Sequence, residues 1–213
     1  MEYKFLKTED EIYNYFLKYN PISKGNKKHP YVILFDAISG MGKSTVAKMF
    51  SKKLDIKVLG KDKIRQFIYR TSFPNNPEKR EKLTSKIQNY RVEETIKNGN
   101  NCIIDGNVAN NFKEKISLIE KYHLKYYIIK LICDREIVLE REKNRKVITD
   151  YYVDGDESID YSGAGVSTFL NMEKRKKTIP KQYINFEIDT SKSLKEVEKQ
   201  VEVIANKINN ENS

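Results

Sequence analysis

The sequence predicts an α/β protein: a five-stranded, mainly parallel sheet with helices on both faces. Three observations carry that expectation. Five short apolar segments recur along the chain, and helical patterns of amphipathic character separate them. The segments are also mostly apolar, the first of them throughout, as strands covered on both faces are expected to be.

The elements follow in order. Thr8 to Lys18 carries Ile12, Tyr13, Phe16 and Leu17 on one helical stripe, and Asn20-Pro21 opens a polar loop that runs to His29-Pro30. Tyr31 to Phe35 is the first strand. Lys43 to Leu54 places Val46, Ala47, Phe50 and Leu54 at helical spacing. Ile56 to Leu59 is a second strand, Asp62 to Tyr69 a helix with Ile64, Phe67 and Ile68 on one side, and Glu78 to Lys97 a longer helix closed by Asn98-Gly99. Asn101 to Ile104 gives a third strand, Lys113 to Tyr122 a helix, Tyr126 to Cys133 a fourth strand and Arg135 to Arg145 a helix. After a polar loop come a helix from Ser167 to Lys177, a strand from Tyr183 to Ile188 and a closing helix from Leu194 to Ile208. The expected organisation is a helical extension over residues 1–30, one domain over 31–209 with a lid at about 141–166, and a tail at 210–213.

Composition narrows the function classes. With 213 residues the chain suits one buried core, and 38% hydrophobic, 11% aromatic and 33% charged residues exclude a disordered chain or a disulfide scaffold. No apolar run approaches the roughly 20 residues that cross a bilayer. The residues from Met1 to Phe16 lack the basic head and apolar stretch of a secretion signal, so a cytoplasmic location is expected. Cys102 and Cys133 sit in apolar segments and read as small hydrophobes, neither bridged nor metal-bound. His29 and His123 stand apart from any ligand-spaced cluster, which argues against zinc. The net charge of +10 is carried mostly by scattered lysines alongside abundant Asn and Ile. That diffuse pattern fits a base-composition bias better than a polyanion-binding stripe.

The sharpest signal is Ala37-Ile38-Ser39-Gly40-Met41-Gly42-Lys43-Ser44, which follows the first strand and opens the first long helix. Such a loop points backbone N–H groups at phosphate oxygens, with glycines keeping side chains clear. Residues Ser39, Gly40, Met41, Gly42, Lys43, Ser44 and Thr45 are the candidate nucleotide-binding set. Lys43 would reach the β- and γ-phosphates and Ser44 would ligate Mg²⁺. Ala37 departs from the usual glycine at the first position. Asp105 ends an apolar strand and would sit beside the loop, where it could hold the metal through water. Asp62 and Arg65 share one face of a helical first turn; they suit either an acid–base and phosphate clamp or an N-cap with a solvated charge. Arg141 and Arg145 also share a helical face, over the transferring phosphate if the following segment closes as a lid. The role of Asp36, at the end of the first strand, stays open.

Together, the phosphate loop, Asp62-Lys63-Ile64-Arg65, Ile103-Ile104-Asp105-Gly106-Asn107, and Arg141 with Arg145 resemble a P-loop kinase group of AAA_33 type. That group includes bacteriophage-type 5′-hydroxyl polynucleotide kinases and zeta-toxin-like kinases. The resemblance extends from Tyr31 to about Ile188 and implies a P-loop NTPase fold using ATP and Mg²⁺. It implies that Asp62 is the general base that activates a hydroxyl, that Arg65 contacts the acceptor's phosphate, that Arg145 is the lid arginine on the donor phosphates with Arg141 beside it, and that Asn107 lies near the acceptor. The expected activity is transfer of a γ-phosphate to a hydroxyl, first a 5′-hydroxyl of a nucleic acid or nucleotide, and otherwise a nucleotide sugar, nucleoside monophosphate or other small metabolite. A slow ATP-dependent switch protein is the alternative from another class.

Overall fold

The apolar segments become strands, and every pairing between them is parallel. The computed structural model describes residues 8–27, 29–71, 76–144 and 165–212. Strands β1 (Tyr31–Asp36), β2 (Lys57–Val58), β3 (Cys102–Asn107), β4 (Lys125–Ile132) and β5 (Phe186–Asp189) form one sheet in the order β2-β3-β1-β4-β5. All of β1 is buried, which is why Tyr-Val-Ile-Leu-Phe shows no polar alternation. The helices are α1 (Glu9–Tyr19), α2 (Lys43–Leu54), α3 (Asp62–Thr71), α4 (Pro77–Lys97), α5 (Phe112–Glu120), α6 (Arg135–Lys143), α7 (Val166–Lys174) and α8 (Leu194–Glu211).

The sheet divides the core into two layers. Ile33 and Phe35 face Val46, Ala47 and Phe50 of α2 and Val201, Ala205 and Ile208 of α8. Val32 and Leu34 face Val92 and Ile96 of α4 and Ile116 and Ile119 of α5. Helix α1 joins a third cluster: Ile12 and Phe16 are buried among Ile64, Ile68, Leu83 and Ile87 of α3 and α4. Burying such side chains contributes about 1.5–3 kcal/mol each, and a capping box between Thr8 and Glu11 starts α1 where the sequence has it start.

Several boundaries move for local reasons. Helix α8 continues past Ile208 to Glu211, because its end is tied down: the Tyr127 hydroxyl donates to Glu211 Oε2 at 2.9 Å, and Asn212 Nδ2 donates to the Tyr127 oxygen at 2.8 Å. β5 begins at Phe186 instead of Tyr183, since Lys181–Tyr183 form a 3-10 turn after Pro180. Helix α6 stops at Lys143, with Asn144 as its C-cap, so Arg145 and most of the expected lid, residues 145–164, lie outside the described residues. Among the described residues no helix is long and apolar enough to cross a membrane.

Candidate active site

In this strand order β2 and β3 lie to one side of β1 and β4 and β5 to the other. In sheets of this kind a crevice opens beyond the carboxyl ends of the strands where the winding changes direction. That crevice is a cleft of about 640 Å³, lined by the loop after β1, the first turns of α2 and α3, the face of α4 that carries Glu81, Ser85 and Gln88, the end of β3 and the turn after it, and Arg141 and Glu142 of α6. The size lies within the range of small-molecule sites.

The loop from Ala37 to Gly42 takes its shape from two left-handed glycines, Gly40 at φ +78° and Gly42 at φ +79°. Ala37 is fully buried and lies outside the left-handed region, so the missing first glycine costs the loop nothing. Gly42 caps α2 without a side-chain bond, and no acidic residue occupies the first turn. The N–H groups and partial positive charge of the helix end are therefore left for an anion. Lys43 is half-buried and has no partner among the described residues. Ser39, Gly40, Gly42, Ser44 and Thr45 line the cleft with it, whereas Met41 is buried and contributes its carbonyl to the loop's bracing.

That bracing comes from residues with no motif to announce them. Thr190, buried after β5, places its hydroxyl 3.1 Å from both Met41 O and Ile132 O. Arg141 donates Nη2 to Thr190 O at 2.6 Å and Nη1 to Cys133 Sγ at 3.4 Å, which fixes it at the cleft. Glu142 is buried and accepts from Ser39 Oγ at 3.0 Å and from the Gly165 N–H at 2.6 Å. Arg135, on the same helix, pairs instead with Glu173 of α7. The contacts at Gly40 set up a graded test. A Cβ there would come within 2.6 Å of Val138 Cγ1 and 2.9 Å of Glu142 Oε1, whereas one at Gly42 meets Thr190 only at 3.8 Å. Both substitutions to Ala carry the left-handed penalty of about 1–2 kcal/mol, and overpacking adds about 1–3 kcal/mol for Gly40→Ala alone. Denaturant unfolding should rank Gly40→Ala as the more costly; equal losses would contradict the packing.

The carboxylate expected beside the loop is there. Ser44 Oγ donates to Asp105 Oδ2 at 3.1 Å. Pairing of β1 with β3 runs Leu34 to Ile104 and then Phe35 to Asn107, so Asp105 and Gly106 form a bulge that brings Asp105 across to α2. A hydroxyl and one carboxylate at a helix N-terminus suit Mg²⁺, which keeps several waters and shares ligation with substrate phosphates. Asn107 lines the cleft and uses Oδ1 to cap the following 3-10 turn at Ala109 N, 3.1 Å away.

Opposite the loop, Asp62 and Arg65 meet as the i, i+3 spacing implies, Arg65 Nη1 donating to Asp62 Oδ1 at 2.8 Å. Asp62 is the first residue of α3, and among the described residues its side chain accepts from Arg65 and from no backbone N–H. Sequence reasoning missed Glu81 of α4, which accepts from Arg65 Nε at 2.9 Å and Nη2 at 3.0 Å and from Lys61 Nζ at 3.0 Å. Burial opposes ionisation of Glu81, but Arg65 and Lys61 outweigh it and hold the carboxyl below its ordinary 4.5. A depressed carboxyl gives stability that is complete above its unfolded pKa and lost as pH falls through the folded one. The wild-type chain should therefore lose stability below about pH 4.5 in part through Glu81, and Glu81→Gln should flatten that limb of the pH–stability curve; an unchanged acid limb would show that the bridge contributes nothing. Asp36 does not line the cleft: it is buried, its Oδ1 has no hydrogen-bond partner among the described residues, and burial raises its carboxyl pKa against the pull of Lys176 and Lys130.

The geometry agrees with relationships found by comparison. A family model, AAA_33, described as an AAA domain, matches residues 32–158, more than half the chain. The chain belongs to the AAA_33 family of P-loop kinases. The match contains the phosphate loop, Asp62, Arg65, Asp105, Asn107, Arg141 and Arg145. The chain is 28% identical over 141 residues to an L-seryl-tRNA(Sec) kinase of Methanococcus maripaludis, covering 62% of the chain and 53% of that protein. It thus spans about half the length of that relative. Among solved structures, the PezAT toxin–antitoxin system of Streptococcus pneumoniae superposes with a TM-score of 0.58 at 17% identity, covering 99% of this chain and 98% of that one. A gluconokinase from Sinorhizobium meliloti gives 0.55 at 13% identity, covering 88% and 97%. At these identities the likeness is one of fold.

Proposed function

We propose that this AAA_33 kinase transfers the γ-phosphate of Mg²⁺-bound ATP to a hydroxyl of a small polar acceptor seated against Asp62. One observation carries the reading: a single cleft joins an anion-receiving loop with Lys43, the Ser44–Asp105 pair, and a carboxylate held in place by Arg65. The amides from Ser39 to Thr45 would cradle the triphosphate, Lys43 would meet the β- and γ-phosphates, and Ser44 and Asp105 would hold Mg²⁺. Bound Mg²⁺ would supply charge neutralisation on the transferring group. Arg141, anchored on Thr190, adds positive charge on the donor side, and Arg145 is assigned the same task. Asp62 takes the proton as the acceptor oxygen attacks, its free oxygen facing no protein partner among the described residues, while Arg65 and Asn107 orient the acceptor.

A second reading rests on its own observation. A groove of about 1450 Å³ shares Ser44, Asp62 and Asp105 with the cleft and passes Lys48, Lys57, Lys63, Arg91, Lys24 and Lys27. Such a lysine-lined path would suit a nucleic acid whose 5′-hydroxyl enters at Asp62, as in the polynucleotide kinases the sequence resembles. A screen with γ-labelled ATP across 5′-hydroxyl oligonucleotides, nucleoside monophosphates, nucleotide sugars and small hydroxy compounds separates the two. The proposal expects label in a small acceptor. Preferential labelling of oligonucleotides establishes the second reading in its place, and no transfer despite ATP binding leaves a nucleotide-dependent switch.

A further inference from the structure

We infer that the acceptor carries an anionic group, a carboxylate or a phosphate, and that Lys115 of α5 is the cation that receives it. This deepens the proposed function by naming the acceptor's chemistry, and it rests on that reading only for what the anion is attached to. The argument begins with the charges on the acceptor side of the cleft. Lys61 is paired with Glu81 and bonded to Ser85 Oγ at 2.8 Å; Arg65 is paired with Glu81 and Asp62. Those two cations and two carboxylates neutralise each other. Lys115 is a third cation lining the same cleft, and it is 6% exposed.

Its ammonium has no carboxylate partner among the described residues. It donates to the side-chain oxygens of Gln88, at 3.4 Å, and Asn89 on α4. The nearest acid in sequence, Glu114, is engaged by Asn89 Nδ2 at 2.6 Å. Gln88 is itself fixed, its Nε2 donating to Leu59 O at 2.9 Å, so the lysine is held by a rigid amide frame. Burying an ammonium without a counter-charge is costly, and chains ordinarily avoid it unless something supplies the missing charge. Burial first, and then the neighbouring Lys61, pull its pKa down to about 8 against the opposing pull of Glu114 and the Cys102 thiol. An anion entering the cleft would remove that penalty and pair with Lys115, with Asp62 left to face the hydroxyl. Sequence reading passes over Lys115 because a single lysine beside Ile116 in a charged helix looks like a solvated side chain.

The test uses the full chain with its phosphate loop filled by ADP, so that added anions report on the acceptor side. The Lys115 resonance of protein labelled with [ε-¹³C]lysine, assigned through Lys115→Arg, is followed over pH with inorganic phosphate, glycerate or neutral glycerol added. The expected result is an upward shift of the Lys115 midpoint with phosphate, glycerate or both, and none with glycerol; which anion acts tells phosphate from carboxylate. Indifference to both anions overturns the inference and leaves Lys115 as a strut between α4 and α5. This readout needs no turnover, so it survives a failure of the kinase proposal and can fail while that proposal stands. In the transfer assay, Lys115→Gln should raise KM for an anionic acceptor about 10- to 100-fold, the range of a hydrogen bond to a charged group, with the ATP KM unchanged and Lys115→Arg partly restoring it. A loss shared equally by anionic and neutral acceptors would contradict the assignment.

Discussion

Replacing Lys43 by Ala should lower the rate of phosphoryl transfer by about 10³-fold or more, with the chain still folded. Both halves follow from the position of the side chain. Lys43 stands on the first turn of α2, lines the cleft, and makes no hydrogen bond or ion pair among the described residues. Its removal therefore breaks no contact of the core, whereas a triphosphate on the loop would lose the only flexible cation that the loop itself carries. Phosphoryl transfer asks a protein chiefly to position and neutralise, so the loss appears in the chemical step. Single-turnover transfer from labelled ATP, read beside the denaturation midpoint, checks this. A near-normal rate in a folded variant would count against the entire donor site.

Asp62→Asn should cost about 10²- to 10⁴-fold in transfer with ATP binding retained. The substitution keeps the size of the side chain and an oxygen for Arg65, and it removes the capacity to accept the acceptor's proton. The donor side, reached through Ser44 and Asp105, is left intact. Measuring nucleotide affinity and transfer on one preparation separates the effects. Undiminished transfer would take Asp62 out of the chemistry and leave the Asp62–Arg65–Glu81 bridge as a tie between α3 and α4.

How far the sequence revealed this site depended on whether a residue's role is local. β1 was legible because a strand buried on both faces is apolar along its length, and α2 starts at Lys43 as expected because Gly42 can adopt the left-handed cap that opens it. The phosphate loop needed only the order strand, glycines, Lys-Ser, helix. Asp62 and Arg65 meet because three residues bring them to one face. The rest depends on tertiary contacts that leave no local mark. Glu81 lies 16 residues from Arg65 and Glu142 lies 103 from Ser39, and each sits in a charged helical run that reads as solvated surface. The bulge that carries Asp105 to Ser44 is a register shift of the backbone, invisible in side-chain periodicity. Helix α8 outlasts its apolar stripe because Tyr127 of β4 holds its end.

The most direct test of the account is a crystal structure of the chain with Mg²⁺ and a non-hydrolysable ATP analogue. The account predicts the triphosphate in the loop from Ser39 to Thr45, Lys43 on its γ-end, the metal at Ser44 and Asp105, and Asp62 facing the γ-phosphorus across the open part of the cleft. A nucleotide bound elsewhere, or Asp62 turned away from the γ-phosphate, would contradict it.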